Sequence, residues 1–211
     1  PGSGKTRLMQ YMQYLTPSLT EEESKSVKRI MSLAGLPVKD ENKVYPPFRI
    51  PHQTASIEGI CGGGPNCRPG EIALAHNGVL FLDEAAEFRS SVLQMLRVPL
   101  ENKSITLSRA GRTTTYPANF QLLLALNPCP CGNYGSKDKI CLCSAKSVEL
   151  YWKKLSGPLL DRVSIRLHID QSEEEERKEY TLEELQSYVK RATEESRLLG
   201  ITFRDLTVEQ I

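Results

Sequence analysis

No charge of either sign dominates this sequence: 27 Lys and Arg stand against 26 Asp and Glu over 211 residues. That balance excludes binding of nucleic acid by a whole basic face and confines any such contact to a loop or groove. Nor is there an apolar run near the roughly 20 residues that a membrane helix needs. The longest runs, Gly78 to Leu82 and Leu122 to Leu126, have the length of strands. No signal-peptide pattern opens the chain, so a cytoplasmic protein with no membrane association is expected. Histidine is scarce. The three present, His52, His76 and His168, lie apart from one another and lack the spacing of a metal pair.

A composition with 39% apolar residues supports one core and a small second lobe. The chain opens at Pro1 inside a motif. It closes on Thr207-Val208-Glu209-Gln210-Ile211, where Thr followed three residues later by Gln reads as the capping box of a new helix. A fragment cut at both sides is expected.

Helical spacing places Leu8, Met9, Met12 and Leu15 on one face of a helix that Pro17 stops. Thr20 with Glu23 forms a capping box before the stripe Val27, Ile30, Met31 and Ala34, which Gly35 and Pro37 end. Tyr45 to Gly78 is rich in Gly and Pro and reads as an irregular excursion, a loose hairpin with arms near Ala55 to Ile60 and Glu71 to Leu74. Val79 to Leu82 and Leu122 to Leu126 read as strands buried on both faces. Ser90 to Val98 suits a helix closed by Pro99, and Ser104 to Ser108 with Arg112 to Tyr116 forms a hairpin around Ala110-Gly111. Thr181 with Glu184 caps a last helix ending at Gly200. The charge run near Glu173 to Lys178 reads as a solvated linker, dividing a core over residues 1–170 from a smaller lobe over 171–211. Buried strands alternating with helices make an α/β fold with a parallel sheet, whose sites lie beyond the carboxyl ends of the strands.

Two motifs belong at such a place. Pro1-Gly2-Ser3-Gly4-Lys5-Thr6 fits all but the first two positions of a phosphate loop. Its glycines let backbone N–H groups turn onto phosphates at a helix N-terminus. Lys5 would reach the β- and γ-phosphates of ATP, and the Thr6 hydroxyl would bind Mg²⁺. The strand Gly78 to Leu82 ends in Asp83 and Glu84. Asp83 suits the Mg²⁺ shell, since a hard cation takes oxygen ligands, and Glu84 suits the base that polarises the attacking water. Asn127, after the next strand, can orient that water or simply begin a turn before Pro128. Arg162 follows the turn Ser156-Gly157-Pro158-Leu159-Leu160-Asp161. It suits an arginine finger, worth about 10³ to 10⁵ in rate, and equally a salt bridge with Asp161 or a solvated charge.

Several stretches together resemble the magnesium-chelatase-like AAA+ ATPases, most closely the ComM/YifB family. They are Phe48-Arg49-Ile50-Pro51-His52, the run Arg68 to Glu84, Tyr116-Pro117-Ala118, Asn127-Pro128-Cys129-Pro130-Cys131-Gly132 and Ser156 to Arg162. The resemblance implies a P-loop NTPase with an AAA+ parallel-sheet core, ATP hydrolysis with Mg²⁺, a hexameric ring in which Arg162 acts in trans, and the start of a helical lid. It implies inserts in the second helix, about Thr54 to Leu74, and in a hairpin before the polar-tipped strand, Lys103 to Tyr116. In that family both inserts face the ring pore and grip DNA during branch migration. An ATPase subunit that drives metal insertion through partner proteins is the alternative. The family's Lon-protease-like N-terminal domain is not in this sequence, Gln53 and Cys67 stand where His and Pro are common, and the lid's sensor arginine is expected beyond Ile211.

Two further groups have open roles. Lys103, Arg109 and Arg112 put positive charge on the hairpin, whose five-residue arms reach roughly 17 Å; they suit either phosphate contacts with DNA or solvated charges on a packed hairpin. Cys129, Cys131, Cys141 and Cys143 form C-x-C, nine residues, C-x-C, which fits a structural Zn²⁺ site or four unconnected thiols. Without a strand before Pro1 the phosphate cradle is incomplete, so residues 1–211 alone are expected to bind ATP weakly or not at all. Micromolar ATP binding in calorimetry of the isolated chain would contradict this.

Overall fold

The computed structural model describes residues 4–38, 45–109, 111–135, 139–169 and 179–200. From the N-terminus, α1 spans Lys5–Tyr11 and tightens into a 3₁₀ turn, Met12–Leu15. The expected Thr20 capping box opens α2, Glu21–Leu33: Thr20 accepts from the Glu23 amide and Glu23 accepts from the Thr20 amide. Val27 and Ile30 are its buried residues, and Gly35 follows with φ of +74°.

The Gly/Pro-rich excursion is more ordered than its sequence suggests. After β1, Phe48–Arg49, come α3, Ile57–Cys61, β2, Gly62–Gly63, β3, Arg68–Pro69, and α4, Glu71–Leu74. Both segments expected to be hairpin arms are short helices, and the hairpin is the tighter β2–β3 pair between them. The reason is local. Ser56 caps α3 by accepting from the Gly59 amide. The chain then reverses through glycines that have no room for a side chain: a Cβ on Gly70 would meet the Gly62 nitrogen at 2.2 Å.

Next come β4, Val79–Leu82, α5, Ser90–Met95, and α6, Arg97–Asn102. Pro99 therefore does not close a single helix. It sits in the first turn of the second one, where its missing N–H costs nothing. The expected hairpin forms as β5, Ser104–Arg109, with β6, Arg112–Pro117, and is followed by β7, Gln121–Leu124. β7 begins one residue earlier and ends two residues earlier than expected, and is half-buried rather than buried. Then α7, Ala145–Lys153, α8, Gly157–Leu160, and α9, Leu182–Leu199, complete the described elements. Thr181 and Gly200 bound α9 as expected. The linker near Glu173 and the capping box at Thr207 lie outside the described residues.

Strands β1, β4 and β7 make a parallel sheet in the order β1-β4-β7, with β4 in the middle. All four β4 residues are buried, and their alternation feeds two cores. Leu80 and Leu82 join the main cluster with residues of α3, α5 and α6, while Val79 and Phe81 pack with Ala125, Phe48 and Met9 of α1. Helices thus cover both faces, and α1 is held against the strand that carries Asp83. At the other end of the chain, α9 hydrogen-bonds back to the Tyr14 and Ser18 carbonyls through Gln186 and Arg197.

His76 ties the entry of β4 to the β6–β7 link. Its Nδ1 accepts from the Asn119 amide at 3.1 Å, and the Asn77 amide donates to the Asn119 carbonyl at 2.6 Å. Burial holds His76 below the usual histidine range, opposed by the charge of Glu23. The unfolded chain therefore binds this proton first. Stability from neutral His76 is complete above about pH 6.5 and falls as acid approaches the lower folded value. Urea unfolding across that interval should show stability rising with pH, and His76→Gln should flatten the slope.

Candidate functional site

Thr6 and Asp83 are 77 positions apart in sequence, yet the Thr6 hydroxyl donates to Asp83 Oδ2 at 2.9 Å. Two short-range features produce the contact. Gly4 turns the chain into α1 with φ of +72°, placing Lys5 and Thr6 at the first positions of the helix. β4 then delivers Asp83 just past its carboxyl end. The Asp83 Oδ1 accepts from the Glu84 amide at 3.0 Å, and Glu84 takes φ of +48°, a left-handed conformation uncommon outside glycine. That bend leaves Asp83 half-buried and aims Glu84 into solvent. Gly2 and Ser3 lie outside the described residues.

The arrangement fits a hard divalent cation. A hydroxyl and a carboxylate oxygen meet at one point, and Mg²⁺ at about 2.0–2.1 Å from each ligand would set neighbouring octahedral oxygens about 2.9 Å apart. Thr6 and Asp83 are the residues that could hold it. Lys5, half-buried, precedes Thr6 in the first turn of α1.

The tip of β7 arrives at the same end of the sheet. The Ala125 amide donates to the Leu82 carbonyl, and the Ala85 amide donates to the Ala125 carbonyl. Beyond it the Asn127 backbone lies near the Tyr151 phenol of α7, and its amide opposes the rise that burial imposes on that phenol. Tyr151 is 4% exposed, and burial raises its phenol above the ordinary tyrosine range, with Glu87, Cys129 and Glu84 adding to the effect. Asn127, Glu84 and Tyr151 thus share one neighbourhood. Tyr151 carried no signal in the sequence, because an aromatic on an amphipathic helix looks like any core residue.

Arg162 is elsewhere. Ser156 precedes the single turn of α8, and Arg162 donates to the Pro158 carbonyl and to the carboxylate of Glu101, near the end of α6. Its ion-pair partner is therefore Glu101, not the neighbouring Asp161. The Arg162 guanidinium, by hydrogen bond and charge, holds Glu101 below the usual carboxylate range. Among the described residues no ion pair joins Arg162 to Asp83 or Glu84.

The three hairpin cations are not gathered together. Arg109 and Arg112 face each other at the tip, while Lys103 is the left-handed cap of α6, at the base of the strands. Arg109 pairs with Glu58 of α3 at 2.6 Å. The hairpin's inner face, Ile105, Leu107 and Tyr116, packs on the main core, and Tyr116 donates to the Cys67 carbonyl at 2.8 Å. A Cβ on Gly62 would lie 2.9 Å from Leu107 Cδ1. The hairpin and the Gly-rich insert therefore form one packed unit.

The four cysteines do come together. Cys129, Cys131, Cys141 and Cys143 place their sulfurs within 4.8 Å of one another and could hold a metal ion. The Asn133 amide, and then the Cys129 thiol, bring Cys131 down to about 6. Cys141 goes up to about 12: the Cys143 amide favours its thiolate, but desolvation and the Cys129 and Cys131 sulfurs outweigh it. Cys61 and Cys67 are separate buried thiols.

Residues 1–177 match the family described as magnesium chelatase, subunit ChlI. An uncharacterized protein of Mycobacterium tuberculosis is 48% identical over 171 residues, 80% of this chain and 34% of that protein. Escherichia coli YifB, also uncharacterized, is 44% identical over 170 residues, and the competence protein ComM of Haemophilus influenzae 42% identical over 170, in both cases 80% of this chain and 33% of the relative. The chain spans about a third of the length of these curated relatives. Among the described residues no helix is long and apolar enough to cross a membrane.

Proposed function

The chain belongs to the magnesium-chelatase family of AAA+ P-loop proteins, and from that premise we propose that it is the catalytic part of a ring-forming ATPase that remodels DNA. The contact of Thr6 with Asp83 supports this reading most directly, because it joins the two halves of a phosphate-and-magnesium site across the sheet. Lys5 neutralises the β- and γ-phosphates. Thr6 and Asp83 hold Mg²⁺, whose chemistry when bound is to offset phosphate charge. Glu84, turned outward by its left-handed backbone, takes the proton of the attacking water, and Asn127 orients that water.

In a hexameric ring Arg162 serves the neighbouring subunit's site. Its pairing with Glu101 is then the resting arrangement, and the guanidinium must leave Glu101 to reach a phosphate in trans. Arg112 at the hairpin tip is the better placed of the two arginines for DNA, since Glu58 already neutralises Arg109. Lys103 contributes at the base. The thiolate cluster in this reading holds Zn²⁺ and is no second magnesium site, since magnesium takes oxygen donors. A chelatase-type subunit working through partner proteins is the second reading, favoured by the family description itself.

A DNA-stimulated ATPase assay on the full-length parent separates the two. The account expects hydrolysis that rises with DNA, falls at least about 100-fold in Glu84→Gln with ATP binding retained, and loses most of its DNA stimulation in Arg112→Ala. Hydrolysis indifferent to DNA supports the chelatase-type reading, and full activity in Glu84→Gln removes the assigned base.

A further inference from the structure

The cysteine cluster lies between two elements of the candidate active site. Cys129 is two residues past Asn127, and Cys143 immediately precedes Ser144, which caps α7 by accepting from the Ser147 amide. The first turn of the loop is tight: the Gly132 amide donates to the Cys129 carbonyl, and Gly132 has φ of +74°. That turn directs the Tyr134 amide at the Cys129 sulfur, 3.4 Å away. An amide aimed at a sulfur stabilises a thiolate. The closest sulfurs are 3.4, 3.7 and 3.7 Å apart, for Cys129 with Cys131, Cys129 with Cys141, and Cys131 with Cys141. A tetrahedral ion with Zn–S bonds of about 2.3 Å separates its sulfurs by about 3.8 Å.

What the cluster joins is specific. On α7, Tyr151 meets the Asn127 backbone, and the next residue, Trp152, donates its indole N–H to the Pro128 carbonyl at 3.0 Å. Lys154, just past the helix, donates to the Ala86 carbonyl at 2.7 Å, two residues beyond Glu84. Thus α7 holds both the Asn127 tip and the turn after Glu84. The start of α7 is itself anchored by Cys143.

We infer that Cys129, Cys131, Cys141 and Cys143 bind one Zn²⁺ as a knot that fixes α7, and through Tyr151 and Trp152 holds Asn127 in register with Glu84. The inference rests on the reading of the cluster as a zinc site and of Asn127 as the residue that orients water. Tyr151 is a positioning residue: it acts on the water only through Asn127. Loss of the ion frees the loop, lets α7 shift, and loosens the β7 tip while the Thr6–Asp83 pair stays in place.

Three measurements on the full-length parent test this. Elemental analysis of the purified protein should find one zinc attributable to these residues, lost in Cys141→Ser/Cys143→Ser. Absence of zinc overturns the site itself. The sole tryptophan of this chain is Trp152, against the Pro128 carbonyl. With Trp152→Phe as the blank, its emission should shift when a mercurial and chelator strip the ion and return when zinc is restored. Zinc present with an emission that ignores its removal overturns the knot. Tyr151→Phe, which keeps the fold and all four thiols, should lower kcat for ATP about tenfold with KM unchanged. Equal kcat overturns the positioning role while leaving the zinc site intact. A parallel loss of zinc and of helical circular dichroism in the cysteine variant is read against Cys131→His alone, whose imidazole also ligates zinc and should retain both. Loss of zinc from Cys131→His with intact secondary structure also counts against the metal.

Discussion

The hydrogen bond between Thr6 and Asp83 depends on the middle strand being buried on both sides. β4 places Leu80 and Leu82 in one core and Val79 and Phe81 in the other. Because α1 packs against the second of these, its first turn is held at the carboxyl end of the strand. A half-buried strand with one wet face would leave α1 without that seat. The same burial fixes the register in which Leu82 pairs with Leu124 and the Ala125 amide donates to the Leu82 carbonyl, so the Asn127 tip follows the Asp83 tip by geometry. Phosphate loop, acid pair and polar tip are consequences of one double-sided packing, and Glu84 departs from ordinary backbone geometry at the place where the chemistry would occur.

Around that centre, two satellites are built differently. The Gly-rich insert and the β5–β6 hairpin pack on one another through Gly62, Leu107, Cys67 and Tyr116. With Arg109 joined to Glu58, they move as a unit if they move at all. The cysteine loop has little apolar substance of its own: Ile140 and Leu142 are exposed. Among its described residues the contacts include those between the sulfurs and the Trp152 bond to the Pro128 carbonyl.

Much of this was legible in the residues themselves. The capping boxes at Thr20 and Thr181, the two-sided strand Val79 to Leu82 and the hairpin about Gly111 all follow from local rules, and local rules suffice where neighbours in sequence decide the structure. The Asp83 and Thr6 pairing was legible because both motifs carry fixed positions relative to a strand end and a helix start. What escaped was set by distant partners. Ala55 to Ile60 looked extended among glycines, but Ser56 caps a helix there. Pro99 looked like a stop, although a first helical turn tolerates it equally well. For Arg162 the residues offered an arginine finger, a salt bridge with Asp161 or a solvated charge, and gave no sign of Glu101, to which the turn of α8 sends it. Tyr151 and Trp152 gave no warning, since their importance lies in which carbonyl and which amide they meet across the fold.

The central claim is that Thr6 and Asp83 act together on one magnesium ion. A double-mutant cycle in the full-length parent, with Thr6→Val, Asp83→Asn and both together, reads this directly as the Mg²⁺ concentration needed for half-maximal nucleotide binding. Each single change should raise that concentration, and the pair together should raise it by less than the product of the two, since either one already breaks the shared site. Effects that multiply cleanly, as independent positions give, would contradict the account.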